Sequence, residues 1–488
     1  MKRMMNNRKI YIAVACCFLF LFSGCSGWLD VKPYDQISEE ELLSSEEGFF
    51  NLLNGVYIEL NHEALYGSAL SVEMVEVMGG AYAIGTDNMV WGNYKDLSNY
   101  EYGTDYWRSR LSATWDKAYS LILNCNKILE NLEGNEALFT DDNYGIVRGE
   151  ALALRAMLHF DMLRLFGPVY SRDKEKASIP YYTSQKIIQE RPLPAVEVAR
   201  NIVADLKEAR ILLVYDPIIT EGTMMSGDIN SSGNFLRYRA LRLNYYAVTG
   251  LLARVCLYTG DREGAFNYST EVIKAANNGT FPFVDKSLVI GSPEDPDRIF
   301  SSEVIFALSH SNRNLLFKNY YDPARLPGCV FRMETNWMNN YIYGGGIATG
   351  GNQDDYRNQV NWTAVGANKY FYKYSDMAAV GKIENTMIPM LRLGEMYLIA
   401  TESQSDNLAA GISYLNTLRK YRGISNLQTL NRDMLIYEYI RELYGEGQLF
   451  FLYKRLFSRI YYSATPNKNP EPSDEIFIVP LPDSETEN

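Results

Sequence analysis

The chain has 488 residues, 47% of them hydrophobic and 22% charged, which is enough apolar sequence to bury a large core. Its formal net charge of −12 excludes nucleic acid and other polyanions as expected partners. Tyrosine is over-used, with 37 Tyr and 6 Trp against 3 His, and such rings offer the flat apolar face and polar tip that suit sugars and peptides.

The first 24 residues have the pattern of a bacterial lipoprotein signal. Four basic residues precede an apolar run of 13 residues, Ile10 to Phe22, whereas a membrane-spanning helix needs about 20. The following sequence, Phe22-Ser23-Gly24-Cys25, resembles a lipobox with phenylalanine in place of the usual leucine. We therefore predict cleavage of residues 1–24 and lipidation of Cys25, which would anchor the chain to a membrane. An ordinary signal with a chance cysteine is the alternative.

Cleavage leaves 43 basic residues against 59 acidic residues, a formal net charge of −16, which favours neutral or basic ligands over acidic ones. Three further cysteines follow Cys25, at Cys125, Cys256 and Cys329, with no CxxC pattern among them. An odd, scattered set argues against a disulfide framework or a zinc site. We predict small buried thiols, and neither a metal nor a cofactor.

Helical periodicity dominates the chain. Apolar residues at three- and four-residue spacings predict helices at Trp115 to Gly134, Glu150 to Val169, Val196 to Leu213 and Leu241 to Gly260. A helical hairpin is predicted over Leu251 to Ala275, where Ala253 and Ala265 stand twelve residues apart, as in a tetratricopeptide repeat. A second, partial match lies at Leu391 to Tyr397. We expect a mainly α scaffold of three or four degenerate hairpins.

Two long stretches differ from this scaffold in composition. Residues 81–107 carry two Trp and five Tyr among Gly, Asn, Asp and Thr, and residues 281–374 have strand-like runs and an aromatic, glycine-rich centre. Long loops in a compact protein are usually functional, and stacking faces beside amides and carboxylates suit a neutral polar ligand. The alternative is a packed aromatic cluster. The candidate ligand-binding residues are Trp91, Tyr94, Tyr100, Tyr102, Trp107, Trp337, Tyr341, Tyr343 and Trp362.

Motifs of catalysis are incomplete in this sequence. His62-Glu63 begins an HExx pattern, but Tyr66 stands where a zinc protease needs its second histidine. Neither a GxSxG elbow nor a GxxxxGK[ST] loop occurs, and Gly344 to Thr349 breaks a GxGxxG at its last position. A pair of glycosidase carboxylates remains open, because the chain has 59 acidic residues and none is singled out. We expect a binding protein and not an enzyme.

Several segments in order resemble the SusD/RagB family of surface lipoproteins. They are CSGWLDVKP, WDKAYSLILNCNKILENL, LRAMLHFDMLRLFGPV, AVTGLLARVCLYTGDREGA, MLRLGEMYLIATES, LNTLRKYRGI, IRELYGEGQLFFLYKR and IVPLP. Leu449, Leu452 and Tyr421 depart from residues common in the family. Since Arg392, Glu395, Arg441, Glu442 and Glu446 lie on apolar predicted helices, we expect buried charge pairs that join helices.

The resemblance implies a SusD-like fold with a helical region at 25–280 that includes the aromatic loop 81–107, a loop-rich insert at 281–374 and a C-terminal helical region at 375–488. It also implies a surface-exposed lipoprotein of the outer membrane that delivers its ligand to a SusC-like TonB-dependent barrel. The family's ligand contacts lie in variable loops, so no binding residue is carried over.

Three classes of function stay open at this point. Capture of oligosaccharide is the main hypothesis, and capture of peptide by the same architecture is the alternative. A surface glycosidase and a helical-repeat adhesin are hypotheses from different classes.

Overall fold

A computed structural model describes residues 39–84, 91–186, 188–225, 235–291, 294–325, 329–378, 381–404, 408–461 and 470–486. The predicted signal peptide and Cys25 lie outside these residues. Within them, eleven helices of seven or more residues form the scaffold. They are α1 (Glu46–Glu59), α2 (Gly92–Ser98), α3 (Asp105–Leu132), α4 (Asn143–Phe166), α5 (Ala195–Leu212), α6 (Tyr245–Thr259), α7 (Arg262–Asn277), α8 (Leu393–Ser403), α9 (Leu408–Tyr421), α10 (Arg432–Leu443) and α11 (Leu449–Leu456).

Shorter elements connect these helices. Strands pair antiparallel as β1 (Ala177–Ile179) with β2 (Leu193–Pro194), β3 (Val304–Ser309) with β6 (Met387–Arg392), and β4 (Trp362–Val365) with β5 (Asn368–Phe371). Short α-helical turns lie at Glu39–Leu42, Met74–Met78, Tyr170–Asp173, Ile218–Glu221, Lys286–Val289, Asn314–Leu316, Thr335–Trp337, Gly346–Thr349, Tyr356–Asn361, Asp474–Phe477 and Asp483–Thr486. Tighter 3₁₀ turns lie at Glu136–Leu138, Leu213–Tyr215, Arg239–Leu241, Ser301–Glu303 and Ile383–Thr386, and wider π turns at Phe317–Tyr321 and Met338–Ile342.

The helices pack mostly against their neighbours in sequence. Helix α4 contacts α3 and α5, α6 contacts α5 and α7, and α8 contacts α7, α9 and α10. This serial packing is typical of helical repeats, in which each pair buries its apolar face on the next. The prediction of a mainly α chain is confirmed.

The hairpin of α6 and α7 shows how the sequence sets its boundaries. The Asn244 side chain accepts a hydrogen bond from the Ala247 amide at 2.9 Å and begins α6, and Gly260 ends it with φ of +84°. Asp261 then caps α7 through the Gly264 amide at 2.9 Å. Ala253 and Ala265 are fully buried, and this predicted hairpin is confirmed.

Strand β3 was expected as a strand-like run, and the structure confirms it. Its partner β6 lies far along the sequence and extends to Arg392, so the helix expected at Leu391 begins only at Leu393. Arg392 therefore lies at the end of β6 and Glu395 on the helix that follows. The expectation that both residues lie on one helix was wrong. Arg392 binds Glu442 and Glu446, while Glu395 pairs with Arg254 at 2.7 Å.

Buried charge pairs do join the elements, as predicted. Glu442 on α10 accepts hydrogen bonds from Arg357, Arg392 and Arg422 at 2.9, 2.7 and 2.7 Å. Arg422 also binds Glu303, next to β3, at 2.6 Å. All five side chains are buried, so the pairs connect the region between residues 303 and 357 to the C-terminal helices. Arg441 pairs with Glu438, however, and not with Glu442 or Glu446.

The first aromatic-rich stretch is less irregular than expected. Its described part contains α2 and the first turn of α3, which begins at Asp105, ten residues before the predicted helix. Thr104 is extended and Gly103 precedes it, so the chain turns into the helix immediately before Tyr106 and Trp107. Residues 281–374 likewise contain β3, β4, β5 and several single turns between loops.

One large hydrophobic core contains residues from the N-terminal, insert and C-terminal regions. The boundaries of those regions stay a prediction. Cys125 and Cys256 are buried free thiols, as predicted, whereas Cys329 is partly exposed, so the prediction of a buried thiol was wrong there. Across the residues described, no helix combines the length and the apolar character needed to cross a membrane.

Candidate functional site

The two aromatic-rich stretches meet around Phe331. We use the term aromatic cluster for Tyr82, Trp91, Tyr94, Trp107, Tyr320 and Phe331. Helix α2 supplies Tyr94, α3 supplies Trp107, and the turn at Phe317–Tyr321 supplies Tyr320. The cluster therefore joins residues more than 200 positions apart in sequence into one set of contacts.

Phe331 lies between two parallel rings. Tyr82 stacks on it with centroids 4.4 Å apart and an interplanar angle of 8°, and Tyr320 lies at 5.5 Å and 12°. Trp91 is tilted by 40° against the same ring at 5.4 Å, and Tyr94 meets it edge-on at 5.1 Å. Offset and edge contacts of this kind each contribute about 0.5–1.5 kcal/mol beyond burial, so the cluster is a rigid support.

A polar rim borders the aromatic cluster, formed by Glu73, Arg110 and Tyr106. The Glu73 carboxylate is buried and accepts hydrogen bonds from Tyr94 Oη at 2.8 Å and Arg110 Nη2 at 2.5 Å. Arg110 keeps 22% of its side chain exposed, and Tyr106 is 41% exposed. The rim thus presents the Arg110 guanidinium and the Tyr106 phenol to solvent from positions one turn apart on α3.

Ionisation of these groups follows from burial and charge. Burial, followed by the Glu73 carboxylate, raises the pKa of Tyr94, and burial and Glu73 also raise the pKa of Tyr320. Burial opposes the charge of Arg110, but the Glu73 carboxylate and the nearby phenols of Tyr106, Tyr320 and Tyr94 together outweigh burial, so the pKa of Arg110 is raised. At neutral pH both phenols keep their protons and Arg110 keeps its charge.

The site can therefore hold a neutral polar ligand. Phenol hydroxyls and a guanidinium donate hydrogen bonds, and aromatic rings supply apolar faces. In addition, the indole Nε1 of Trp91 is buried and finds no acceptor among the described residues. A buried donor without a partner costs about 1–3 kcal/mol, which a ligand acceptor would recover.

The nine predicted ligand-binding residues fall into four separate groups. Trp91, Tyr94 and Trp107 belong to the aromatic cluster, where Trp107 is fully buried and donates to the Asn93 carbonyl at 2.5 Å. Tyr100 and Tyr102 contact one another, with ring centroids 6.4 Å apart, and the Tyr102 hydroxyl donates to the Ile476 carbonyl at 2.6 Å.

The other four lie in the insert. Trp337 stacks near Tyr341 with centroids 6.4 Å apart, and Tyr341 is 41% exposed. Tyr343 and Trp362 are buried, and Trp362 packs on Phe371 and Tyr444. Ligand contact stays a prediction for all nine.

Sequence reasoning missed the polar rim. Glu73 and Arg110 stand 37 positions apart, and neither is part of an aromatic-rich run. Tyr106 was within the first stretch but was not chosen. Only the fold brings the carboxylate beneath the guanidinium, so no local pattern in the sequence could have identified the pair.

In the described part of the chain, no three His, Cys, Asp or Glu side chains form a group that could hold a metal ion. The His62 side chain instead accepts a hydrogen bond from the Ala64 amide at 3.2 Å within a turn.

Comparison with known families gives two matches that together cover more than half of the chain. Residues 27–224 match a SusD-like model described as starch-binding associating with outer membrane, and residues 296–475 match the model of the SusD family. A curated relative, SusD-like protein P25 of Formosa agariphila, is 25% identical over 215 residues. That match covers 41% of this chain and 37% of the relative's length.

Solved structures share the fold over nearly the whole chain. A SusD superfamily protein from Bacteroides thetaiotaomicron has a TM-score of 0.69 at 20% identity, covering 91% of this chain and 98% of its own. A SusD-like carbohydrate binding protein from Bacteroides vulgatus has a TM-score of 0.67 at 19% identity, with 91% and 96% covered. The predicted fold is confirmed.

Proposed function

The chain belongs to the SusD/RagB family, and on that premise we propose that it binds carbohydrate at the aromatic cluster and its polar rim. A matching family model is described as starch-binding, and one structural neighbour as carbohydrate binding. These descriptions and the chemistry of the site both favour an oligosaccharide as the ligand.

The observation that carries the proposal is the pairing of Arg110 and Tyr106 above buried rings. Sugar rings have apolar faces bordered by hydroxyl groups, so an aromatic face beside a charged donor matches both parts. Glu73 holds Arg110 in place through a 2.5 Å ion pair, which orients the guanidinium before any ligand arrives. The acidic chain disfavours anionic sugars, so the proposed ligand is neutral.

The finer part of the proposal concerns location and delivery. Lipidation of Cys25 would anchor the protein on the outer membrane, and a SusC-like TonB-dependent barrel would receive the glycan from it. The support is the lipobox-like sequence at residues 22–25 and the family description as associating with the outer membrane. Binding without catalysis is the activity proposed.

The test is titration of the chain from residue 26 onward with neutral glycans. Calorimetry with starch, laminarin, xylan and mannan oligosaccharides should find at least one that binds. Tyr106→Ala should weaken that binding about tenfold, because a stacking contact contributes about 0.5–1.5 kcal/mol. Arg110→Met should weaken it more, since hydrogen bonds to charged groups contribute about 1.5–3 kcal/mol.

Tyr215→Ala is the matched control, because Tyr215 is 69% exposed and lies outside the aromatic cluster. It should leave the affinity unchanged. Binding of peptides alone, or equal effects of the control and rim variants, would contradict carbohydrate capture at this site.

A further inference from the structure

A separate cavity opens along the middle of α3, past the end that carries the polar rim. Its volume is about 530 Å³, which lies within the range of about 300–1,000 Å³ for ligand pockets. Trp115, Tyr119 and Leu123 of α3 form one wall. The other wall is formed by Pro180, Tyr182, Ser184, Lys186, Ile188 and Gln189. None of its lining residues belongs to the aromatic cluster.

Three aromatic rings line the cavity at different angles. Trp115 and Tyr119 have centroids 4.5 Å apart and planes tilted by 45°, and Tyr182 meets Tyr119 edge-on at 5.5 Å and 79°. The Tyr119 hydroxyl is fixed by donating to the Pro180 carbonyl at 3.1 Å. Aromatic rings therefore line the cavity on both of its walls.

The wall opposite α3 is held by buried polar contacts. The Tyr182 amide donates to His159 Nε2 at 3.1 Å, and Asn126 Nδ2 donates to the carbonyls of Tyr182 and Ser184, each at 3.1 Å. The Gln185 amide donates to Glu130 at 2.8 Å. These bonds form through backbone groups of residues 182–185, so they remain when the Tyr182 ring is removed. The ring itself adds one further contact, in which its hydroxyl accepts from the Glu190 amide at 3.1 Å.

Hydrogen-bond donors and hydrogen-bond acceptors both line the cavity. Asp116 and Glu485 supply carboxylates, Lys186 an ammonium group, Gln189 an amide and Ser120 a hydroxyl. The Asp116 carboxylate is exposed and has no hydrogen bond or ion pair to any residue that the structure describes. Donors and acceptors thus line the same cavity as the aromatic rings.

We propose that this cavity is a second carbohydrate site, which takes a few units of a neutral oligosaccharide independently of the aromatic cluster. This inference rests on the proposed function. Hydroxyl groups both donate and accept, so they match carboxylates and an ammonium group together, whereas an anionic or cationic ligand would meet a like charge at the opening. The volume also exceeds what a single small cation would fill.

Binding stoichiometry tests the proposal. Maltoheptaose, laminarihexaose, xylohexaose and mannohexaose are titrated into the chain from residue 26 onward, with calorimetry and native mass spectrometry as readouts. For a probe that binds, we expect two molecules per chain. Each substitution should weaken its own site about tenfold, which leaves that site largely empty at ligand concentrations close to the wild-type dissociation constant. Under that condition Tyr182→Ala should remove one of the two molecules, and Tyr106→Ala should remove the other.

Asp116→Asn gives a second variant that leaves packing intact, because the carboxylate is exposed. It should weaken the cavity class of sites about tenfold, while Asp173→Asn, an exposed acid outside the cavity, should change nothing. Hydrogen exchange adds a local readout. Residues 180–186 should exchange more slowly with the probe present, in wild type and in Tyr106→Ala alike.

The outcomes separate the two proposals. A single bound molecule that Tyr106→Ala removes and Tyr182→Ala leaves unchanged overturns the cavity site and keeps the proposed function. A single molecule removed only by Tyr182→Ala supports the cavity and overturns the assignment to the aromatic cluster. No binding of any neutral glycan overturns both.

Discussion

His159 on α4 connects the packed interior to the wall of the cavity. Its ring is fully buried, stacks on Tyr181 with centroids 4.0 Å apart and meets the edge of Tyr119 at 5.9 Å. Nε2 accepts from the Tyr182 amide, so Nδ1 carries the proton and donates to the Arg155 carbonyl at 2.9 Å. Only a neutral imidazole can form both of these hydrogen bonds, because a protonated ring has no nitrogen left to accept one.

Acid should therefore destabilise the protein through this residue. Burial, with the nearby Arg155 guanidinium, lowers the pKa of His159 to about 3, against an ordinary value of about 6.5. Between these values the unfolded chain binds a proton that the folded chain does not, so stability falls as the pH falls. From pH 7.5 to pH 5 the loss is about 2 kcal/mol, measurable by urea unfolding.

His159→Gln isolates that contribution, because an amide offers one donor and one acceptor without titrating. The variant should be less stable at pH 7.5, where it lacks the stacked ring. It should lose about 2 kcal/mol less than wild type between pH 7.5 and pH 5. Equal losses in the two proteins would mean that another group causes the acid sensitivity.

At the scale of elements, the approach of α8 to α10 requires a glycine. A Cβ at Gly394 would lie 2.1 Å from Glu442 Oε1, and that carboxylate is held by three arginines and cannot easily move. Gly394→Ala should therefore lower the free energy of unfolding by roughly 1–3 kcal/mol, as overpacking does. Thermal and urea unfolding measure the change.

Gly55→Ala on α1 is the matched helical control. Apart from the glycine, its two chain neighbours and the backbone of its own helix, no heavy atom lies within 4 Å of a Cβ built there. Alanine has the higher helix propensity by about 1 kcal/mol, so this variant should be neutral or more stable. Equal destabilisation by both variants would show that the contact with Glu442 is not the cause of the effect at Gly394.

The sequence was informative about elements and less so about their ends and contacts. Helical periodicity located α5 to within one residue at each end, because apolar spacing reports the buried face directly, but it placed the start of α4 seven residues late. It placed the start of α3 ten residues late, since Tyr106 and Trp107 resemble the aromatic loop before them. The helix expected at Leu391 was a strand up to Arg392, because pairing with β3, more than 80 positions away, overrides local preference.

The candidate site shows the same limit. Composition correctly predicted that residues 81–107 and 281–374 are rich in stacking rings, and the structure brings parts of both around Phe331. Composition does not determine which ring faces solvent, and Trp107 proved to be fully buried while Tyr106 is exposed. That choice depends on the rotation of α3 against Glu73, which is a tertiary property.

At the scale of the whole molecule, buried ion pairs hold the insert region to the C-terminal helices. Glu438 on α10 pairs with Arg357, Arg419 and Arg441. Burial would raise its pKa, but the three guanidinium groups outweigh burial and lower the pKa to about 2. The charge of Glu438 thus stabilises the fold fully above pH 4.5, and this contribution is lost as the pH falls toward 2.

Glu442→Gln should be among the most destabilising single changes. It leaves three buried guanidinium groups short of a negative charge, and breaking a buried pair in this way costs about 3–5 kcal/mol. Urea unfolding measures that loss. Hydrogen exchange should also accelerate at β3 and β6, because Glu303 and Arg392 belong to the same set of pairs.

Glu197→Gln provides the comparison, because Glu197 forms an exposed pair with Arg200 at 3.9 Å. Surface pairs contribute about 0–1 kcal/mol, so this change should be nearly silent. A loss at Glu442 no larger than at Glu197 would show that the core tolerates the uncompensated charges.

The free thiols have a practical consequence for labelling chemistry. Burial raises the pKa of both Cys125 and Cys256 to about 12, with Asp261 adding to the effect at Cys256. A maleimide reacts with the thiolate, which these residues scarcely form at neutral pH. After replacement of Cys329 in a chain that begins at residue 26, a cysteine introduced at the exposed Ser109 or Ile188 would carry a dye with little background. Fluorescence could then report occupancy of each surface separately.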